Sequence, residues 1–151
     1  MEISRQALSW QETKAIGQEI GRRLKGGELI ILDGDLGSGK TTFVTGLASG
    51  ATSDSDVSSP SFVIKNEYKC PGFIINHYDF YRLNDAGIMT DALNENLNKN
   101  DVSVIEWSDL VSELLARDRL VINFKVLSET GRILSMSAPK TLEYLIKDLT
   151  N

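Results

Sequence analysis

Apolar positions along the chain change period several times, and each change marks an element. In residues 11–24, QETKAIGQEIGRRL, Ile16, Ile20 and Leu24 recur every four residues, one stripe along a helix. Gly17 and Gly21 lower that helix's intrinsic propensity and permit close packing, and Gly26–Gly27 ends it. Glu28–Asp33, ELIILD, is a short continuous apolar run between turn residues, the pattern of a buried strand. Residues 34–39 are glycine-rich. Residues 40–49, KTTFVTGLAS, predict a helix with Phe43 and Leu47 on one side, ending at Gly50. Residues 51–60 are small, polar and proline-terminated, hence a loop. Strands are expected over 62–68 and 73–79, with a hairpin turn at Cys70-Pro71-Gly72. The Asn- and Asp-rich stretch 84–101 carries a weak helical pattern around 88–97. A strand, VSVIE, follows at 102–106, then a helix over 108–117 and two strands, 119–127 and 132–138, paired across SETG. A terminal helix over 140–149 would align Leu142, Leu145, Ile146 and Leu149. No internal repeat or long linker interrupts this order, so the expectation is one α/β domain spanning 1–151.

Composition supports one core. The chain has 151 residues, 41% hydrophobic and 25% charged. A single cysteine, Cys70, excludes an internal disulfide framework and any multi-Cys zinc site. A single histidine, His77, excludes multi-His metal motifs. The formal charge of −5 argues against the chain gripping nucleic acid by itself, because such binding neutralises phosphates with Lys and Arg. The N-terminus has no basic segment leading into an apolar one, and no run approaches the ~20 apolar residues of a membrane span. The expected location is cytoplasmic, with no membrane contact.

Chemistry enters at Gly34-Asp35-Leu36-Gly37-Ser38-Gly39-Lys40-Thr41, which fits G-x-x-x-x-G-K-[ST] in full. The glycines let successive N–H groups point into one hollow at a helix N-terminus, where a phosphate chain fits. Asp35, Leu36, Gly37, Ser38 and Gly39 would form the cradle. Lys40 would reach the β- and γ-phosphates, Thr41 would place its hydroxyl on Mg²⁺, and Thr42 could contact the α-phosphate. The motif follows a strand and opens a helix, as it must. The fold expectation sharpens to a P-loop NTPase-like domain: a mostly parallel central sheet flanked by helices, with antiparallel strand pairs.

Such a loop needs an acid at a neighbouring strand end to hold Mg²⁺ or orient water. Glu106 ends VSVI and Asp79 ends FIINHY. Asp79 has a competing reading as a turn cap or as the partner of Arg82. Ser58, Ser59 and Ser61 surround Pro60 where a switch segment lies in other phosphate-loop proteins; a plain serine-rich turn fits the position equally. Trp107 is either packing or a wall beside the nucleotide. His77 shares a strand face with Asp79 and reads mainly as structural. Asn98-Lys99-Asn100-Asp101 matches the N-K-x-D guanine reader, yet it precedes a strand instead of following one, and it reads as a polar loop.

GDLGSGKTTF, SSPSF, HYDFYRL and VIEWSDL, in this order and spacing, resemble the bacterial TsaE (YjeE) family of small P-loop ATPases. The resemblance runs from Gln11-Glu12-Thr13 to the strand pair near the end. It implies binding of ATP with Mg²⁺ and weak hydrolysis by the chain alone. It also implies work with a TsaB–TsaD heterodimer that makes N6-threonylcarbamoyladenosine (t6A) next to the tRNA anticodon, so tRNA is met only through the complex. On the family pattern Lys40 and Thr41 serve phosphate and metal, and Glu106 and Trp107 are the acid and aromatic of the E-W pair. Asp79 is the acid of H-x-D-x-Y-R, followed by Tyr81 and Arg82, and Thr13 matches a threonine near the base. Two departures stand out: Ser61 replaces the usual Thr of S-P-T-F, and Ser108 stands where proline often follows E-W. Two other readings keep the same loop: a small-molecule P-loop kinase, which would want an arginine-rich lid, and a nucleotide-dependent binding switch without significant turnover.

Overall fold

The computed structural model describes residues 1–54, 65–80, 87, 90–91, 100–107 and 118–149. The helices expected around 88–97 and over 108–117, the serine segment Ser58–Ser61, Tyr81, Arg82 and Ser108 lie outside the described residues or nearly so.

Among the described residues seven strands form one sheet: β1 (Glu2–Ala7), β2 (Leu29–Asp33), β3 (Lys65–Cys70), β4 (Phe73–Asp79), β5 (Val102–Glu106), β6 (Leu120–Val126) and β7 (Arg132–Ser137), in the order β1-β7-β6-β2-β5-β4-β3. The four central strands β6, β2, β5 and β4 are parallel. Antiparallel pairs close both sides, β1–β7–β6 on one and β4–β3 on the other. This is the expected mixed α/β architecture. β2 sits in the middle and buries both faces, which explains its unbroken apolar run. Ile30 and Leu32 face the main core with α1 (Trp10–Gly21) and α2 (Lys40–Gly50); Leu29 and Ile31 pack on the other face with Tyr78, Phe80 and Ile105.

The close packing foreseen for Gly17 and Gly21 is present and reciprocal. A Cβ on either would collide with the Phe43 or Leu47 carbonyl of α2. Gly46 and Gly50 of α2 stand in the same relation to the Lys14 and Gln18 carbonyls of α1. The helices therefore touch backbone to backbone, and α2 is pinned behind the loop that precedes it.

Four boundaries differ from expectation. β1 has no counterpart among the expected strands: its inward positions are Ile3, Arg5 and Ala7, and an arginine in the alternation hides the period-2 signal. α1 ends at Gly21, and two tight i→i+3 bonds, Arg23 N to Ile20 O and Leu24 N to Gly21 O, carry the chain on so that Leu24 is still buried. β3 runs to Cys70 because Pro71 and Gly72 (φ 88°) suffice for the turn, with proline and a positive-φ glycine at its centre. The terminal segment is a 3₁₀ helix over Lys140–Leu145 instead of an α-helix through 149. Its apolar set is buried as foreseen, and the three-residue spacing from Leu142 to Leu145 suits three residues per turn. The β6–β7 hairpin closes across SETG as expected, with Leu127 N bonded to Gly131 O at 3.0 Å.

Candidate functional site

The segment between β2 and α2 forms a tight loop. Ser38 N donates to Asp35 O at 3.1 Å, and Leu36 stands out at the tip, 66% exposed. Gly37 (φ 74°) and Gly39 (φ 104°) hold left-handed backbone that other residues adopt only with strain. Gly39 is also the N-cap of α2, so the loop ends where the helix dipole is positive.

Lys40 opens α2 and is 6% exposed. Its Nζ turns back to donate to the Gly34 carbonyl and to Asp35 O (3.1 Å), and lies 4.6 Å from the centre of the Trp107 ring. Burial pushes the Lys40 ammonium below its ordinary pKa; Glu106, Asp79, Asp33 and Asp35 pull it back up. A partly desolvated cation is thus held by backbone dipoles, contacts a polyphosphate could take over. Trp107 has φ 59°, an uncommon conformation for a bulky residue, and this turn directly after β5 sets its ring over Lys40. Trp107 packs half-buried against the second-face core and also lines the cavity.

The two candidate acids come together. Asp79 and Glu106 are register partners at the ends of β4 and β5, and Glu106 is also opposite Leu32 of β2. Glu106 is 3% exposed, with Oε2 at 2.6 Å from Nε2 of the fully buried His77, whose Nδ1 is 3.3 Å from the Tyr68 hydroxyl. A cavity of about 180 Å³ joins these groups, lined by Leu36 through Thr42, Asp79, Glu106, Trp107 and Trp10. Thr13, 0% exposed, is not in that wall; it packs behind Gly39 and donates from Oγ1 to Ser9 O at 3.4 Å. A larger cavity of about 690 Å³ between β1 and α1 has Arg5 beside Glu12 and Glu19 and no glycine loop, so phosphate chemistry points to the smaller one.

Arg132 of β7 was not singled out by its sequence context. It is 3% exposed and donates from Nε to Ser38 O (2.8 Å) and from Nη2 to Gly37 O (3.0 Å). Nη1 holds the hairpin carbonyls of Ser128 and Gly131, both at 2.8 Å, and the guanidinium stacks 4.4 Å from the Trp10 ring centre. It thereby fixes two carbonyls of the loop that lines the cavity. No local pattern announces the contact with the glycine loop, because Ser38 and Gly37 lie 94 and 95 residues away. Asp101, of the N-K-x-D match, accepts from Ile74 N at 3.1 Å at the opposite end of β4 and β5; Asn98 and Lys99 lie outside the described residues.

The donor set suits Mg²⁺. The Thr41 hydroxyl and the Asp79 and Glu106 carboxylates that line the cavity offer hard oxygen atoms, the donor type Mg²⁺ prefers. The described residues contain no group of three or more His, Cys, Asp or Glu able to cage an ion. Mg²⁺ needs no such cage, since it keeps waters and takes oxygens from phosphate. The Ser38 hydroxyl, buried in the loop, has no hydrogen-bond partner among the described residues.

A glycine loop between a central parallel strand and a helix, a lysine at its end and an acid on the adjoining strand define the P-loop class of nucleotide-binding folds. Within that class, residues 8–134 match the model of the family described as "Threonylcarbamoyl adenosine biosynthesis protein TsaE". A tRNA threonylcarbamoyladenosine biosynthesis protein TsaE of Bacillus subtilis is 36% identical over 128 residues, covering 85% of this chain and 80% of that protein. One from Treponema pallidum is 32% identical over 136 residues, covering 89% and 98%. The crystal structure of Bacillus subtilis YdiB superposes with a TM-score of 0.78 at 29% identity, covering 98% of this chain and 93% of that one. The chain belongs to the TsaE family. No helix among the described residues is long and apolar enough to cross a membrane.

Proposed function

We propose that this chain is a Mg²⁺-dependent ATPase, weak alone, that acts in the cytoplasm in t6A modification of tRNA with a TsaB–TsaD heterodimer. One observation carries the reading: Lys40 of a complete phosphate loop faces Asp79 and Glu106 across a single small cavity. Its volume is below the ~300–1,000 Å³ of typical ligand pockets, a size for a phosphate tail with the base on the rim. Backbone N–H groups of residues 35–39 cradle the phosphates, Lys40 neutralises their outer charge, and Thr42 contacts the innermost. Thr41 and Glu106 would hold Mg²⁺, which supplies charge neutralisation on the terminal phosphates. Asp79, next to Glu106, orients the water that cleaves the terminal anhydride to ADP and phosphate. Trp107 borders the nucleotide, and Thr13, off the cavity wall, supports Gly39 from behind. Arg132 commits its donors to backbone carbonyls, which does not favour a kinase's phosphate clamp.

The test is calorimetric titration of the purified chain with ATP and Mg²⁺, followed by phosphate release with and without TsaB–TsaD. Saturable binding and release that rises with the heterodimer are expected, and Lys40→Ala should abolish both. Binding unaffected by Lys40→Ala would place the nucleotide elsewhere. Absence of turnover under every condition would leave a binding switch instead of an ATPase.

A further inference from the structure

Behind Glu106 lies a buried hydrogen-bonded row that the reading above does not use. Three adjacent strands supply one member each: Tyr68 from β3, His77 from β4 and Glu106 from β5. We propose that His77 is a positioning residue for Glu106: it donates Nε2–H to Oε2 and fixes the carboxylate, while the Tyr68 hydroxyl donates to Nδ1 and fixes the imidazole tautomer. The inference rests on the Mg²⁺-nucleotide reading of the site.

The geometry supports each link. The His77–Glu106 distance is 2.6 Å, with side chains 0% and 4% exposed, a short charge-assisted bond without competing water. An ionised carboxylate only accepts, so the shared proton belongs to Nε2. In the proposed tautomer Nδ1 accepts from the Tyr68 hydroxyl at 3.3 Å, so that the ring orients Glu106 without adding a charge beside it. A carboxylate at a strand end otherwise turns about its last bond. With Oε2 committed to the imidazole, Oε1 has one defined direction, and the same side chain lines the Lys40 cavity. An ordinary core histidine needs only satisfied nitrogens; here the acceptor is the acid of the site.

Outer partners of metal ligands typically change metal affinity about 10–100-fold when removed. The experiment measures binding of a fluorescent ATP analogue at graded Mg²⁺ and in EDTA, using the full chain and the variants His77→Asn, His77→Gln and Tyr68→Phe. The Gln amide nitrogen reaches the place of Nε2, whereas that of Asn reaches only the place of Nδ1. His77→Asn should raise the half-saturating Mg²⁺ concentration about 10–100-fold and leave affinity in EDTA within about threefold. His77→Gln should recover most of the loss, and Tyr68→Phe should show a smaller loss of the same kind. Unchanged Mg²⁺ response in His77→Asn, equal losses with and without Mg²⁺, or no recovery in His77→Gln would each overturn the positioning role. If neither His77 variant folds by circular dichroism, Tyr68→Phe decides, and an unaltered Mg²⁺ response there overturns it. Failure of the underlying reading looks different: the wild-type chain itself would show no Mg²⁺-dependent nucleotide binding.

Discussion

At the scale of single residues, Lys40 and Arg132 show two ways for a cation to serve the same loop. Lys40 can be assigned from the sequence because its neighbours on both sides form the motif. Arg132 is one arginine after a hairpin glycine, and its role appears only when β7 is laid beside the loop. Its fork reaches the Ser38 and Gly37 carbonyls together while Nη1 holds the hairpin. A lysine cannot reproduce that planar geometry, although it keeps the charge. Arg132→Lys is therefore expected to lose at least one charge-assisted bond, about 1.5–3 kcal/mol, and to loosen the loop. Calorimetry should show nucleotide affinity lowered roughly tenfold or more, and thermal melts should show a lower midpoint. Unchanged values for both would mean that the loop keeps its shape without the clamp. Glu106 and Asp79 were legible as strand-end acids, but nothing local showed that they are register partners or that His77 bonds one of them.

At the scale of elements, the boundaries that sequence could set are those with a local cause. The Gly39 start of α2 and the buried run of β2 both have one. β1 has none, since its strand character depends on pairing with β7. Gly17 and Gly21 were visible as small residues, yet the complementary pair Gly46 and Gly50 gains meaning only from the crossing of the two helices. Gly17→Ala would improve helix propensity by about 1 kcal/mol. Its methyl would meet the Phe43 carbonyl, and moving a backbone costs about 1–3 kcal/mol or more. The clash should win, and a urea titration should find a lower midpoint for Gly17→Ala. A higher one would show that α1 and α2 can separate freely. The terminal segment offers a pH test. Tyr144 donates to Glu28 Oε1 at 2.6 Å, and burial first, then the Glu28 bond and charge, push its phenol far above the ordinary 10.0. The folded chain keeps this proton longer than the unfolded chain, so the contribution is whole below pH about 10 and is lost as pH rises through the raised value. The stability difference between wild type and Tyr144→Phe should stay level from about pH 7 to 9 and shrink in more alkaline buffer. A difference that grows with alkalinity would reverse the sign and refute the link to Glu28.

At the scale of the molecule, one sheet with two helices packed against the loop builds the Lys40 cavity from residues far apart in sequence, and the parallel order of β2, β5 and β4 brings the acids to it. The α/β class was legible from strand, loop and helix in succession. The strand order was not, because apolar runs such as VSVIE and RLVINFKVL fit either side of β2 equally well. Charge then decides how such a molecule can meet tRNA. A net −5 means that whole-molecule electrostatics oppose a polyanion. Binding through phosphates would need a local cluster of Lys and Arg, and of the described arginines Arg132 is buried and committed to carbonyls. The isolated chain should therefore leave tRNA unshifted in a native gel at ~10 µM protein and near-physiological salt, where weak non-specific binders have dissociation constants around 10⁻⁴–10⁻⁶ M. With TsaB–TsaD present, tRNA should be retained, and addition of this chain should alter the retained complex without a steeper dependence on salt. Tight binding by the chain alone, falling sharply as salt rises, would reveal a basic surface of its own and would overturn the indirect role. Retention unaffected by this chain at any nucleotide state would separate it from the complex altogether.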